Sequence, residues 1–324
     1  MNENILKSIR HILYYASGLQ KEEKALFLYD GRTEQVAELF MEVMKQDDRI
    51  FDSCKLVQSN NHGEEPSDDA VGKMLESNVI FCLTHNSLAH TQARMEANKR
   101  GGRFLSMPSY TVPLLEDPSL TAPYKDYYPQ VEEMAQMLTE SSTLEITTSS
   151  GTFLTADLTG RKGNSCPGFT DSGHLLASPP DIEANIAPVE EKSCGTLLID
   201  GSITCDEIGL LKEQVRVEVE NGKIISFSAC DKNLTAVLEK MFEEEKRRVL
   251  AEIGIGFNKK AALCGNMLVD EGTCGAIHFG FGSNGTIGGK NSVPFHLDFV
   301  LKDPTLFLDG KVIMENGDFL NRKD

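Results

Sequence analysis

The chain has 324 residues, a formal charge of −17 and a pI near 4.9, with 40% hydrophobic and 25% charged residues: a globular composition long enough for two cores. This acidic balance excludes nucleic acid and anionic membrane surfaces as partners, because both bind clustered Lys and Arg; the run Lys246-Arg247-Arg248 sits beside Glu243-Glu244-Glu245 and reads as a solvated helix face. No stretch approaches the roughly 20 apolar residues of a membrane span, and eight scattered cysteines without a C-x-x-C pair suit a reduced, cytoplasmic protein.

Residues 1–17 place Ile5, Ile9, Ile12 and Leu13 at helical spacing without a signal-peptide cleavage pattern, so an amphipathic capping helix is expected. Ala25–Tyr29 reads as a strand, and Thr33–Met44 as a helix through Val36, Phe40 and Val43. Strands follow at 55–57, 79–83 and 103–106, with helices at about 68–76 and 88–99. Strand–helix alternation with apolar strands predicts a parallel sheet covered on both faces, an α/β N-terminal domain of flavodoxin- or Rossmann-like type. Its first strand is not followed by Gly-x-Gly-x-x-Gly, so no nucleotide is expected.

A Tyr/Pro-rich connection, 124–129, leads into a helix ending near Glu140. The boundary is placed at 142, giving an α/β domain over 1–142 and an α+β domain over 143–324. In the second domain, Thr143–Asp157 alternates and turns at Ser150-Gly151 as a hairpin, and 160–180 is Gly/Ser/Pro-rich loop. Short strands are expected at 196–199, 215–219 and 223–226, the last after the turn Asn221-Gly222, and a long helix over about 234–250.

The most informative stretch runs from Gly275-Ala276-Ile277-His278 to His296-Leu297-Asp298. In a strand, His296 and Asp298 share a face, and an imidazole and a carboxylate converging with a further His form a metal first shell. An apolar core strand with a chance His-x-Asp reads the same. Glu183, in Asp181-Ile182-Glu183-Ala184-Asn185-Ile186-Ala187-Pro188, and Glu252, in a Gly-flanked segment after the long helix, complete a set of five. Either glutamate alone is ordinarily a surface carboxylate or helix cap; their ordered co-occurrence singles them out.

Read in order, these segments resemble the thermophilic metallopeptidases grouped around aminopeptidases T and S, over about 145–324. That resemblance implies Glu183, Glu252, His278, His296 and Asp298 as ligands of two divalent ions, zinc, cobalt or manganese. It further implies a homodimer and release of N-terminal residues from peptides. The family Tyr seven residues after the first His is Gly285 here, which removes an oxyanion stabiliser, and the intervening loop is a shorter Gly-rich run, 280–289. The same C-terminal region is similar to ring-opening dihydroxypyridine dioxygenases. By that resemblance His278, His296 and Asp298 would hold one non-haem iron(II), with Ser283 or Ser292 close by. A non-catalytic relative that keeps the fold is the third alternative.

Charge separates the alternatives. Three carboxylates and two neutral imidazoles sum to −3, and two carboxylates about 4 Å apart repel by about 4 kcal/mol at an effective dielectric of 20. Two divalent ions with a bridging hydroxide neutralise five converging groups, so convergence favours a two-ion hydrolytic site; glutamates pointing elsewhere favour one iron. In the hydrolytic reading the hydroxide attacks the scissile carbonyl and Glu252 doubles as general base. The Gly-rich run either presents backbone N–H groups to an anionic substrate group or is a plain turn. In the first domain, Thr84–His90 follows the third strand, where ligands of open sheets sit, so His90 is a candidate acid or base; its structural reading is a first-turn residue behind an N-cap at Ser87. Cys264 and Cys274 flank the His segment and read as buried inert thiols, with thiolate ligation the alternative.

Overall fold

Near-continuous apolar runs build the first sheet. In the computed structural model, which describes residues 1–59 and 61–320, α1 (Glu3–Arg10) starts at Asn2, whose side chain accepts from the Ile5 amide at 2.9 Å, and runs into a π turn. Then β1 (Ala25–Tyr29), α2 (Glu34–Gln46), β2 (Phe51–Lys55), α3 (Asp68–Leu75), β3 (Val79–Leu83), α4 (Gln92–Lys99) and β4 (Arg103–Ser106) alternate. The long helix α5 (Tyr124–Glu140) precedes β5 (Thr143–Thr147), β6 (Phe153–Asp157) and β7 (Asn164–Cys166), and β8 (Leu176–Ala177) returns to the first sheet. That sheet has the order β2-β1-β3-β4-β8, every pairing parallel.

Two compact units result: Met1–Lys125 with Pro167–Pro180, and Asp126–Cys166 with Asp181–Asp324. A single crossing near 142 does not describe this division, because α5 begins at Tyr124 and the segment expected as loop supplies β8. Residues 124–129 are helix, Pro129 included, rather than connection. β2 lies four residues ahead of its expected start; its residues 51–54 are half-buried at a sheet edge, so no apolar run marks it, whereas Val57 beyond its end is 95% exposed.

The second unit continues with β9 (Glu183–Ile186), β10 (Cys194–Ile199), β11 (Ser202–Ile203), β12 (Gly209–Leu210), β13 (Val215–Glu220), β14 (Lys223–Ser228), α6 (Lys232–Met241) and β15 (Leu250–Gly256). After α7 (Met267–Glu271) come β16 (Ile277–Gly282), β17 (His296–Leu301), β18 (Thr305–Leu308), β19 (Lys311–Glu315) and β20 (Asp318–Phe319). They form two antiparallel sheets, β14-β13-β10-β6-β5-β18-β19-β20 and β12-β11-β17-β16-β15-β9-β7. The β5–β6 and β13–β14 hairpins form as expected; Asn221 and Gly222 take φ of 50° and 70°, as a tight hairpin turn demands. Helix α6 stops at Met241 instead of running to 250: a 3-10 turn occupies Glu245–Arg248, and Leu250–Gly256, whose two glycines disfavour helix, forms β15. Among the described residues no helix is long and apolar enough to cross a membrane.

The seven-stranded sheet is buried on both faces at β15, β16 and β9. One face is apolar: Ile253, Phe279, Phe281 and Phe299 are fully buried, and Phe299 packs on Phe281 and Phe242 with ring centroids 5.3 and 5.8 Å apart. The opposite face carries the candidate site.

Candidate metal centre

Strand register assembles the site. Gly254 opposes His278 and Glu252 opposes Gly280 across β15–β16; Gly280 opposes Asp298 and Gly282 opposes His296 across β16–β17; Gly256 opposes Glu183 across β15–β9. Directly paired residues share a face, so all five candidate residues project to the same side. A β-bulge between Leu250 and Glu252 resets the alternation, letting Leu250 pair with Phe281 on the apolar face while Glu252 joins the polar one. Glu252 and His278 are thus both strand residues, and the Gly-rich run 280–289 is strand only to Gly282.

The ligand-type atoms converge as two overlapping trios, Glu183/Glu252/His278 and Glu252/His296/Asp298, with all such atoms within 4.8 Å of one another in each. His278 Nε2 lies 3.1 Å from Glu183 Oε2 and 4.0 Å from Glu252 Oε1. His296 Nε2 lies 3.3 Å from Glu252 Oε2 and 3.2 Å from Asp298 Oδ1. Donors on one ion at about 2.1 Å stand roughly 3.0–3.4 Å apart, a range that holds the 3.1, 3.3 and 3.2 Å spacings and is exceeded by the 4.0 Å between His278 and Glu252. His278 groups with the glutamates rather than with His296 and Asp298, and Glu252 is common to both trios.

Two further observations suit a cation. Buried Glu183 Oε2 makes no directed hydrogen bond despite its closeness to His278, whereas Oε1 accepts from Asn185 Nδ2 at 2.6 Å, a contact that aims Oε2 at the imidazole. Each imidazole also lies across a glycine of the neighbouring strand. A Cβ on Gly254 would stand 2.8 Å from Glu183 Oε2 and inside the His278 ring; one on Gly280 would stand 2.8 Å from Asp298 Oδ1 and against the His296 ring. His296 is the rim of the cluster, its side chain 33% exposed against 2% for His278.

Protons compensate charge within the cluster. Burial opposes the imidazolium of His278, but Glu183, Asp298 and Glu252 outweigh it and raise the pKa from 6.5 to about 9. At His296 burial is likewise overridden by Asp298 and Glu252, which hold the pKa well above its ordinary value. Asp298, despite burial, is held well below the usual carboxylate range by His296 and His278. Burial and then Glu183 raise Glu252, against the opposing pull of His296 and His278.

Two residues that sequence reasoning passed over belong here. Asp181 and Glu271 are held far above the usual carboxyl range, first by burial and then by the charges of Glu183 and Asp298, and each has one buried oxygen without a hydrogen-bond partner. Asp181 stands two residues before Glu183, the spacing of a shared strand face, and that was the available signal. Glu271, at the end of α7, had none. His90 lies in the first unit, exposed in the turn ahead of α4, and the N-cap is Thr91, whose Oγ1 accepts from the Arg94 amide at 3.2 Å, not Ser87. Cys264 is exposed and Cys274 half-buried, so neither is a buried thiol, and neither joins a trio.

A curated 2,5-dihydroxypyridine 5,6-dioxygenase of Pseudomonas putida KT2440 is 28% identical over 142 residues, which cover 40% of this chain and 41% of that protein. The structure of a 2,5-dihydroxypyridine dioxygenase from Pseudomonas putida KT2440 superposes with a TM-score of 0.83 at 18% identity, covering 100% of this chain and 99% of the other. Wild-type AmpT from Thermus thermophilus superposes with a TM-score of 0.68 at 15% identity, covering 98% and 100%. Both expected resemblances therefore find a counterpart in the fold. The NicX family model, 2,5-dihydroxypyridine 5,6-dioxygenase, matches residues 32–321, and the chain belongs to that family.

Proposed function

We propose that this chain is a metal-dependent dioxygenase that opens a dihydroxylated nitrogen-heteroaromatic ring, with both atoms of one O2 entering the product. The observation that carries this reading is the dioxygenase family match across 32–321, coinciding with His296 and Asp298 side by side on β17 against Glu252. The donor set suits iron(II) through His296, Asp298 and Glu252, with His278 and Glu183 in the adjoining trio. When bound, that iron supplies the redox chemistry that activates oxygen. The chain's own residues do the rest. Glu252, between the two imidazoles, is placed to accept a proton from a ring hydroxyl, and the partly exposed edge at His296 is the side from which a small aromatic molecule reaches the cluster. The buried, apolar opposite face of the sheet keeps these groups rigid.

The test is oxygen uptake by protein reconstituted with iron(II) and given 2,5-dihydroxypyridine. One O2 consumed per ring lost supports the proposal. No uptake by protein that holds a full equivalent of iron overturns it.

A second reading has its own observation. Glu252 reaches both imidazoles and Glu183 completes a second trio, the convergence that favours two ions and the aminopeptidase-like hydrolase. Two bound equivalents of zinc or manganese with cleavage of aminoacyl amides would select it over the dioxygenase.

A further inference from the structure

The outward-facing nitrogen of His296 has a support that can be traced across the second unit. His296 Nδ1 lies 2.9 Å from the carbonyl oxygen of Ser283. A carbonyl only accepts, so Nδ1 donates, and Nε2 is the atom directed at Glu252 and Asp298. The Ser283 carbonyl belongs to the peptide unit whose other half is the Asn284 amide, which donates to Asn291 O at 3.1 Å. Asn284 is 1% exposed; its Oδ1 accepts from the Asn291 amide at 2.8 Å and its Nδ2 donates to Glu190 Oε1 at 3.3 Å. The loop wraps this side chain so closely that a Cβ on Gly289 would overlap it.

Glu190 anchors the loop from outside. Its Oε1 also accepts from the Lys290 amide at 2.6 Å, and its Oε2 is paired with Arg161, whose Nη1 donates to Gly288 O at 2.7 Å. The Arg161 and Glu190 side chains are only 9% and 17% exposed, so this ion pair is shielded from solvent rather than a weak surface contact.

We propose that Glu190, braced by Arg161, is a positioning residue for His296: it acts through the Asn284-centred loop to fix the Ser283 carbonyl and so the ring's aim and the nitrogen it offers. This rests on the reading of His296 as a metal ligand. Outer partners of ligating histidines change metal affinity by about 10- to 100-fold when removed.

The experiment uses full-length protein loaded with zinc, with affinity measured by chelator competition and the protonated ring nitrogen of His296 read by long-range proton–nitrogen correlation. Glu190→Ala should weaken zinc binding about tenfold or more and lose the Nδ1–H signature. Glu190→Gln, which keeps an oxygen for the Lys290 amide but loses the ion pair with Arg161, should recover part of both, falling between Glu190→Ala and wild type. Leu238→Ala, in the buried core of α6, serves as a destabilised comparison and should leave both unchanged. Wild-type affinity and an unaltered ring signature in Glu190→Ala would overturn the proposal, as would equal weakening in Leu238→Ala. Full zinc retention by His296→Ala would instead overturn the ligand assignment beneath it.

Discussion

Glu252 presents one carboxylate oxygen to each imidazole of the site, Oε1 at 4.0 Å from His278 and Oε2 at 3.3 Å from His296. It is the one member shared by the two trios, and the bulge at its strand entrance puts it there.

Loss of that shared carboxylate should therefore be felt by both halves. Glu252→Ala is expected to reduce bound metal below one equivalent, while Glu183→Ala, which touches the His278 trio alone, leaves the His296 half loaded. Elemental analysis after dialysis checks this. Unchanged iron in Glu183→Ala fits a single ion; loss of one of two equivalents fits a pair.

The glycines under the imidazoles make a sharper steric prediction. Gly254→Ala and Gly280→Ala each drive a methyl into a histidine ring. Each should lower metal affinity at least tenfold and cost about 1–3 kcal/mol of stability through overpacking. Calorimetric titration and denaturant melts measure the two effects separately, and metal binding equal to wild type in both variants would refute the cradle.

pH dependence follows from the histidines and buried acids together. His278 has a folded pKa of about 9 against 6.5 unfolded, so its contribution is fully present below pH 6.5 and is lost as pH rises through 9. Asp181 and Glu271, with raised carboxyl pKa values, act in the same direction, because the folded state holds protons that the unfolded state has released. Metal-stripped protein should thus melt at progressively lower temperature from pH 6.5 to 9.5, His278 alone accounting for up to about 3 kcal/mol. Protons and metal compete for Nε2, so metal affinity should rise over the same range. Thermal melts with and without chelator test both slopes; a metal-stripped protein more stable at pH 9 than at pH 6.5 contradicts the assignment.

On the far side of the same sheet, Phe299 is fully buried against Phe242 and Phe281. Phe299→Ala should destabilise the second unit by about 3–5 kcal/mol through the cavity it leaves. Because Asp298 and Val300 flank it on β17, metal affinity should fall as well. Denaturant unfolding monitored alongside metal release checks whether the two losses coincide.

Much of this protein was legible from residue order alone. Runs such as Val79–Leu83 and Ala25–Tyr29 are apolar throughout because their strands are covered on both faces, and alternation marked the Thr143–Asp157 hairpin. His296-x-Asp298 declared a shared face through the two-residue period of a strand. Where burial was partial the signal failed: edge strand β2 carries Asp52 and Ser53 and no apolar run, and the segment before β15 kept helical spacing past the true end of α6.

Local sequence therefore determined the apolar strands of the first sheet, the shared face of His296 and Asp298, and, through their order along the chain, the five imidazoles and carboxylates to consider together. Tertiary pairing alone decided that they gather as two trios around Glu252 and that buried Asp181 and a buried oxygen of Glu271 accompany them. It also decided that His90 and its turn belong to the other unit. The reason is physical: side-chain alternation is a property of one strand, whereas the register and bulge that align four strands across more than a hundred residues of sequence exist only once their hydrogen bonds have formed.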